Sequence, residues 1–267
     1  MENTALAPAR TTNVDGSRIV VVIPAYREAA TIADIVRSCR AVLPAETGPV
    51  EVIVVDDGSP DDTGPAAAQA GALVLRNARN SGKGASLARG LAQAAADGAE
   101  YLITLDGDGQ HRPEDLPRLL ACAAADRIVI GSRRAGGHAA PRGRRIANRI
   151  ADFWVSWAAG SPIEDSQSGL RVYPAALAQR LGPTRTTGFA WESEVLITAG
   201  RLGFHTVSVP VPAIYGAALS RSSHFRPIAD ITRIVVMVAG RLLRRGMYPV
   251  GLWRALRGRR PGAPPLF

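Results

Sequence analysis

Short apolar runs alternate with helical patterns along most of the chain. Continuous β-branched or apolar runs indicate strands buried on both faces, whereas apolar residues recurring every three or four positions indicate helices. The predicted strands are 19–23, ended by Pro24, then 50–55, 72–75, 101–105 and 128–130. The predicted helices are 28–42, a short helix ending at Ala70, 84–96, and a helix with Pro113 in its first turn. This alternation predicts an α/β fold, a mostly parallel sheet with helices on both faces.

The C-terminal part carries a different pattern. From Ile228 onward, apolar residues recur at spacings of three and four and predict an amphipathic helix of about four turns. The stripe consists of Ile228, Ile231, Val235, Val238 and Leu242. Two interpretations stay open: the helix packs on the parent domain, or it lies at a membrane interface. In the second, Met247, Tyr248, Leu252 and Trp253 enter the headgroup zone.

These patterns divide the chain into three parts. We expect residues 1–17 to form a polar, flexible leader and residues 18–225 to form the α/β domain. We expect residues 226–267 to form a basic amphipathic helix and tail at a membrane surface. The start of the chain has no signal-peptide pattern, and no run of the roughly 18–20 apolar residues of a membrane span occurs. A cytoplasmic location is therefore expected.

Charge is distributed unevenly. Lys plus Arg make 32 residues and Asp plus Glu make 23, for a formal net charge of +9. Residues 221–267 contain ten arginines and one acid, Asp230, and so carry the whole excess. A nucleic-acid binder would more commonly spread basic charge over its folded body. A neutral body with a basic end instead indicates electrostatic attachment, for which an anionic membrane surface is the expected partner.

Acidic turns follow three of the predicted strands. They contain Glu28, the pair Asp56 and Asp57, and the pair Asp106 and Asp108. Ligands of open parallel sheets bind beyond the carboxyl ends of the strands, where these turns meet. Helix capping explains one acidic turn easily, but three at one edge indicate a site shared with a cation or a cationic ligand.

Asp106 and Asp108 flank a single glycine. This spacing can direct both carboxylates toward one hard divalent ion, Mg²⁺ or Mn²⁺, with diphosphate oxygens and water in its remaining positions. An isolated pair of this kind can equally cap the helix at Pro113. Residues 80–84, Asn-Ser-Gly-Lys-Gly, contain the only lysine, Lys83, and can touch phosphate at a helix N-terminus. They are not a P-loop, and no dinucleotide-binding glycine pattern follows the first strand.

Six segments together carry a resemblance to a known family. They are residues 22–28 (VIPAYRE), 55–59 (VDDGS), 80–84 (NSGKG), 106–113 (DGDGQHRP), 131–133 (GSR) and 165–171 (DSQSGLR). In this order and spacing they resemble family 2 glycosyltransferases of the GT-A (Rossmann-like) fold, most closely the dolichyl-phosphate mannose synthase-like branch. The resemblance covers about residues 18–225. The one departure is Arg27, where Asn is usual.

The resemblance implies roles for individual residues. The nucleotide-binding positions are Pro24, Tyr26, Glu28, Asp56, Asp57, Lys83 and Asp106. The metal-binding positions are Asp106, Asp108 and Gln110. The candidates for an acceptor phosphate are Arg133, Arg145, Arg221 and Arg226. Asp165 matches a carboxylate near the reacting sugar, so the catalytic candidates are Asp108, Asp165 and Arg133.

The implied activity is an inverting, metal-dependent transfer of a hexose from a nucleoside diphosphate sugar, GDP-mannose or UDP-glucose. The implied acceptor is a polyprenyl or dolichyl phosphate at the inner face of the membrane. A phosphate acceptor is already ionised at neutral pH and needs no general base, whereas a hydroxyl acceptor would make Asp165 the best base candidate. Two alternatives remain: transfer to a saccharide or other hydroxyl, and a non-catalytic membrane- or nucleic-acid-binding protein on the same scaffold.

Overall fold

A computed structural model describes residues 16–43, 50–133, 142–181, 188, 190–212 and 227–257, with 142–144 and 227–233 described by their backbone alone. The strands are β1 Ile19–Ala25, β2 Glu51–Asp56, β3 Leu73–Arg76, β4 Tyr101–Thr104, β5 Arg127–Ser132, β6 Arg171–Pro174 and β7 His205–Pro210. The helices are α1 Ile32–Val42, α2 Thr63–Gln69, α3 Lys83–Ala96, α4 Leu116–Leu120, α5 Arg142–Ala159, α6 Ala175–Ala178, α7 Ala190–Arg201, α8 Pro227–Leu243 and α9 Pro249–Arg257. A 3₁₀ turn, Pro113–Asp115, precedes α4 and places Pro113 in the first turn, as predicted.

The strands form one sheet in the order β3-β2-β1-β4-β6-β5-β7. β6 runs antiparallel to both of its neighbours, and the other pairings are parallel. The predicted mostly parallel sheet is therefore confirmed. The carboxyl ends of β1, β2 and β4 consequently lie at the same edge of the sheet, where the acidic turns begin.

Pro24 does not end the first strand, contrary to the prediction. β1 continues to Ala25, and Pro24 pairs in register with Val55 of β2. β4 pairs with β1 only as far as Val22. The missing N–H of Pro24 would face this unpaired side, so the ladder loses no hydrogen bond. The helix predicted from residue 28 begins later, at Ile32, because Glu28 belongs to a turn whose carbonyl accepts from the N–H groups of Thr31 and Ile32.

Side chains of β1 alternate between two apolar layers. Val20 and Val22 pack in the layer that includes α3, α5 and α7, whereas Val21 and Ile23 pack in the layer of α1 and α4. Burying a side chain of this size contributes roughly 1.5–3 kcal/mol. Helices cover both faces as predicted, and the strand-end turns lie at the edge of the sheet between these two layers.

The C-terminal helix α8 packs on α7 and α5. Its inner face consists of Ile234, Val238 and Leu242, each at most 5% exposed. Val235, assigned to the buried stripe from the sequence, is instead 52% exposed, and Ile234 takes its place on the inner face, whereas Val238 and Leu242 lie there as predicted. The packed alternative therefore holds for this inner face.

Two residues predicted to enter the headgroup zone face the protein. Tyr248 and Leu252 are partly buried against the core, while Met247 and Trp253 are exposed, as that interpretation requires. None of the described helices is long and apolar enough to cross a membrane. The predicted leader, residues 1–17, lies outside the described residues except for its last two, and the division at residue 225 stays a prediction.

Candidate active site

The three strand-end turns contact one another directly. Thr31 Oγ1 donates to the carbonyl of Gly107 over 2.9 Å, which joins the turn after β1 to the turn after β4. The Glu28 N–H donates to Thr63 Oγ1 over 2.8 Å and so joins the same turn to α2. The structure thus brings together the segments that carry Glu28, Asp56 and Asp106.

The turn after β1 contains the side chains proposed to meet the nucleotide. Its backbone is held by Ser59 Oγ, which accepts from the Arg27 N–H over 3.1 Å. Arg27 has φ 60°, in the left-handed region that asparagine tolerates better than most residues. This conformation explains why Asn is usual there. The Arg27 guanidinium carbon lies 5.4 Å from the centroid of the Tyr26 ring, at the outer side of the turn.

Asp56 is completely buried at the end of β2. Its Oδ1 accepts from the Ser59 N–H over 2.9 Å, and its Oδ2 accepts from Arg76 Nη1 over 2.7 Å. Both oxygens therefore hold the loop after β2 in place. The nucleotide-binding role of Asp56 stays a prediction, and what the structure shows is a loop-organising role.

Asp57 ties two of the family segments together. It accepts from the N–H groups of Ser81 and Gly82, over 2.9 and 2.8 Å, and from Asn77 Nδ2 over 2.7 Å. The first two donors are amides of the glycine-rich segment that sequence had suggested for phosphate. In the structure they point to Asp57 instead. The carboxylate thereby fixes the start of α3 and the position of Lys83.

Lys83, the first residue of α3, joins two acidic groups. Its Nζ lies 2.7 Å from Asp106 Oδ1 and 3.2 Å from Glu192 Oε2 of α7. Burial alone would lower the pKa of Lys83, but the two carboxylates outweigh it and raise the pKa above its usual range. The lysine is therefore a charged ammonium that neutralises the inner wall of the site.

Asp106 and Asp108 respond oppositely to their surroundings. Burial alone would raise the pKa of Asp106, but the ammonium of Lys83 outweighs it and lowers the pKa. For Asp108, burial and the neighbouring Asp106 carboxylate both raise the pKa. Asp108 Oδ1 accepts from the Gln110 N–H over 3.0 Å. The pair therefore holds more negative charge than Lys83 compensates, which favours an added cation.

One further observation supports a divalent metal at these residues. A Cβ on Gly169 would lie 2.5 Å from both carboxylate oxygens of Asp106, so only glycine leaves this carboxylate room. Within the described ranges, no group of three or more His, Cys, Asp and Glu is placed to hold a metal ion. The candidate set is two carboxylates and the amide of Gln110, and an open coordination shell suits a metal shared with a diphosphate.

His111 is a buried histidine that the sequence did not single out. It is 3% exposed, and its Nδ1 has no hydrogen-bond partner. Burial lowers the pKa of His111 to about 4, Asp106 opposes this shift, and Arg133 and Lys83 add to it. The imidazole is therefore neutral at physiological pH and sits beside the acidic pair without adding charge to it.

Asp165 and Arg133 form a bidentate ion pair. Arg133 Nε donates to Asp165 Oδ2 over 3.0 Å and Nη2 donates to Oδ1 over 2.9 Å, while the Arg133 N–H adds a third bond of 2.9 Å to Oδ2. Burial alone would raise the pKa of Asp165, but the bonds from Arg133 outweigh it and lower the pKa. Asp165 has φ 51°, a left-handed conformation in which short polar side chains are enriched.

Two buried residues hold the loop that carries Asp165. Arg171 is completely buried and donates to the carbonyls of Ser166, Ser168 and Glu192 over 2.8–2.9 Å. Asp152, on the inner side of α5, accepts from the Ser166 N–H over 2.8 Å. The loop of Asp165 is consequently held from two sides, by Arg171 at the start of β6 and by Asp152 of α5.

The remaining acceptor candidates are Arg145, Arg221 and Arg226. Arg145 is exposed in the first turns of α5. Arg221 and Arg226 lie outside the described residues, so their predicted role is unchanged. Trp191 is 1% exposed and packs against Gly84, so it is a core residue.

Comparison with known proteins decides the family. The chain matches the family model described as Glycosyl transferase family 2 over residues 20–172, which contain all six segments named above. The chain belongs to this family. The predicted family membership is confirmed, and the chain is therefore a glycosyltransferase.

Relatives in family 2 include two bacterial enzymes. The undecaprenyl-phosphate mannosyltransferase of Micrococcus luteus is 30% identical over 209 residues, covering 73% of this chain and 82% of the relative. The polyprenol monophosphomannose synthase of Mycolicibacterium smegmatis is 30% identical over 206 residues, covering 73% and 76%. Both names agree with the lipid-phosphate branch that the sequence resembles.

A solved structure of another protein has the same fold. Glucosyl-3-phosphoglycerate synthase of Mycobacterium tuberculosis, in complex with Mg²⁺ and uridine diphosphate, superposes with a TM-score of 0.63 at 26% identity, covering 88% of this chain and 81% of that one. The same synthase is also known in complex with Mn²⁺, uridine diphosphate and phosphoglyceric acid. The GT-A fold prediction is confirmed, and divalent metals accompany the nucleotide in this neighbour.

The position of Lys83 predicts that two substitutions will change the affinity for Mn²⁺ in opposite directions. Replacing Lys83 by Met removes a positive charge 2.7 Å from Asp106, so we expect Mn²⁺, measured without nucleotide by calorimetry, to bind roughly tenfold more tightly. Replacing Glu192 by Gln removes a negative charge and leaves Lys83 to Asp106 alone, so Mn²⁺ should bind more weakly. Equal affinities in the two variants would contradict a metal site at Asp106.

Proposed function

We propose that this protein is an inverting, metal-dependent glycosyltransferase that moves a hexose, mannose or glucose, from a nucleoside diphosphate sugar to a polyprenyl phosphate. The observation that carries the proposal is the Arg133–Asp165 pair. The carboxylate in the position of a general base is bound by three donors and has a lowered pKa. Such a group is a poor base, which suits an acceptor that arrives already ionised.

The donor side is built on the acidic pair. Asp106, Asp108 and Gln110 would hold the metal, and Pro24, Tyr26 and Glu28 would line the nucleotide. When bound, a divalent cation supplies Lewis-acid stabilisation of the negative charge that develops on the leaving diphosphate. Lys83 would contribute a second positive charge at the same place, and the loop held by Asp57 keeps its ammonium there.

The acceptor side is built on Arg133. Its guanidinium is fixed by Asp165 and is 15% exposed, so it can present positive charge to a phosphate without losing its orientation. Arg145, Arg221 and Arg226 are further proposed phosphate contacts. Asp165 in this arrangement orients Arg133 and the reacting sugar and moves no proton.

The proposal is tested by a panel of GDP-mannose, UDP-glucose and related donors with Mg²⁺ or Mn²⁺ and a short polyprenyl phosphate, scoring glycolipid and nucleoside diphosphate. We expect one donor to give both products in equal amounts. Nucleotide release without glycolipid, for every donor, would overturn the lipid-phosphate acceptor while leaving family membership intact. Inversion is read from the anomeric configuration of the product.

A second candidate is transfer to a hydroxyl of a small phosphorylated acceptor. It is favoured by the structural neighbour from Mycobacterium tuberculosis, which is named for its product glucosyl-3-phosphoglycerate and is known with phosphoglyceric acid bound. Adding 3-phosphoglycerate to the same panel separates the two. Transfer to it in preference to polyprenyl phosphate would make the second candidate the correct one.

We also propose that the basic C-terminal segment attaches the enzyme to the inner, anionic face of the membrane. The arginines whose side chains the structure describes in this segment divide into two groups. Arg241 forms an ion pair with Glu194 of α7, and Arg245 donates to the carbonyl of Ala158, so these two serve the fold. Arg244, Arg254 and Arg257 are exposed. Truncation after Arg221 would expose the apolar residues that α8 buries. Point variants are therefore a more specific test of membrane attachment.

Replacing Arg244, Arg254 and Arg257 together by Gln should weaken binding to vesicles containing phosphatidylglycerol by about a hundredfold, since each base near an anionic surface contributes on the order of 1 kcal/mol. Cosedimentation in low salt measures this, and the wild-type affinity should fall as salt rises. A control with Arg37, Arg40 and Arg118, on α1 and α4, changed to Gln has the same net charge. Equal loss in both would mean that net charge, and not this segment, governs attachment.

A further inference from the structure

The outer side of α5 exposes a row of large apolar side chains that the site does not use. Ile146 is 60% exposed, Ile150 53% and Trp154 37%. They are spaced by four and lie on one side of the helix. A comparable row on α9 consists of Val250, Trp253 and Leu256. Contiguous apolar side chains on a surface commonly mark an interaction site.

The two rows are joined by a chain of aromatic contacts. The Trp154 and Trp157 rings stack with centroids 5.2 Å apart. Trp157 Nε1 in turn donates to the carbonyls of Met247 and Tyr248, just before α9, over 3.0 and 3.1 Å. Helices α5 and α9 also pack on each other. Their exposed apolar side chains are defined together here as the α5–α9 face: Ile146, Ile150, Trp154, Val250, Trp253 and Leu256.

Positive charge borders this face. Arg145 and Arg149 lie beside the row on α5, and Arg254 and Arg257 lie beside the row on α9. The Arg257 guanidinium carbon is 3.9 Å from the Trp253 ring centroid. The single carboxylate within α5 is Asp152, which is buried on the inner side, and residues 241–257 contain five arginines and no acid.

We infer that the α5–α9 face lies on an anionic lipid bilayer, with its apolar side chains in the headgroup region and its arginines on lipid phosphates. Exposed Trp beside Arg is the side-chain combination of an interfacial helix. A second copy of the chain would bring the same arginines together, so charge disfavours self-association. The inference extends the proposed attachment from the C-terminal segment to the catalytic domain itself.

Helix α5 also contributes to the candidate active site. Asp152, on the inner side of α5, holds the loop of Asp165 through the Ser166 N–H. The helix that rests on lipid thus also positions the acceptor-side ion pair.

The test is vesicle binding by the full chain with Ile146 and Ile150 both changed to Glu. The matched control is Leu73→Glu, because Leu73 is 44% exposed on the edge strand β3. With vesicles of phosphatidylcholine and phosphatidylglycerol at 3:1, we expect the double variant to bind at least about tenfold more weakly and the control to bind as wild type. Equal melting temperatures establish that both variants are folded.

A second measurement needs no variant in α5. Vesicles with brominated acyl chains should quench the exposed Trp154 and Trp253 and spare the buried Trp191, so Trp253→Phe retains part of the quenching through Trp154. Undiminished binding of the double variant, with no quenching left in Trp253→Phe, would confine attachment to the tail. Absence of wild-type binding would overturn both attachment proposals. Equal binding to pure phosphatidylcholine, or loss of a dimer in the double variant, would contradict an anionic bilayer as the occupant.

Discussion

Asp108→Asn should reduce sugar transfer at least about a hundredfold, equivalent to about 2.7 kcal/mol of transition-state stabilisation, and should leave the fold intact. The loss follows because the variant removes one of two proposed carboxylate ligands. Its effect on stability should have the opposite sign. Burial and Asp106 raise the pKa of Asp108, so its charged form is disfavoured in the folded protein and a neutral amide removes that cost.

The experiment pairs single-turnover transfer with thermal unfolding in the absence of metal. Asp34→Asn is the control, because this carboxylate is 80% exposed on α1 and bonds only a neighbouring arginine. The expected result is a variant that melts at or above the wild-type temperature and does not transfer, whereas Asp34→Asn transfers normally. Full transfer by Asp108→Asn would remove Asp108 from the metal site. The shorter side chain of Asp108→Ala should lose the same activity.

The fold class could be predicted from the sequence because the patterns that indicate strands and helices are local. Apolar runs such as 19–23 mark buried strands, and helical spacing marks the elements between them, so element type and sheet class follow from the sequence. Boundaries depended on tertiary context. Pro24 stays inside β1 because β4 has stopped pairing beside it, and α8 turns Val235 outward because α7 and α5 choose its inner side.

The site was predictable where chemistry is concentrated in short segments. The acidic turns after β1, β2 and β4 meet as the parallel sheet requires, and Lys83 lies against Asp106. Contacts between segments far apart in the sequence could not be predicted from the sequence. Glu192 of α7 contacts Lys83 although the two residues are more than a hundred positions apart in the sequence. Nothing in the sequence indicated that Asp152 holds the loop of Asp165, apart from its being the single acidic residue of α5.

Asp165→Asn should also reduce transfer at least about a hundredfold, because Arg133 loses the partner that orients it. Removing one member of a buried ion pair costs roughly 3–5 kcal/mol, and the partial exposure of Arg133 places this pair toward the lower end. The lowered pKa of Asp165 means that its contribution to stability is complete above the unfolded-state value near 4 and is lost as pH falls through the folded-state value. Asp126→Asn, in the exposed pair with Arg127, is the control and should change neither property.

The pH dependence of transfer separates the two possible roles of Asp165. If it only orients groups, wild-type activity toward polyprenyl phosphate should decline at low pH only as the acceptor phosphate dianion takes up one proton, near pH 6. The residual activity of Asp165→Asn should then decline over the same range, since that proton belongs to the substrate. If Asp165 were a base, the decline would belong to the enzyme and would vanish in the variant. Because Arg133 already occupies both carboxylate oxygens, we expect the profiles of wild type and Asp165→Asn to have the same shape and to differ only in height.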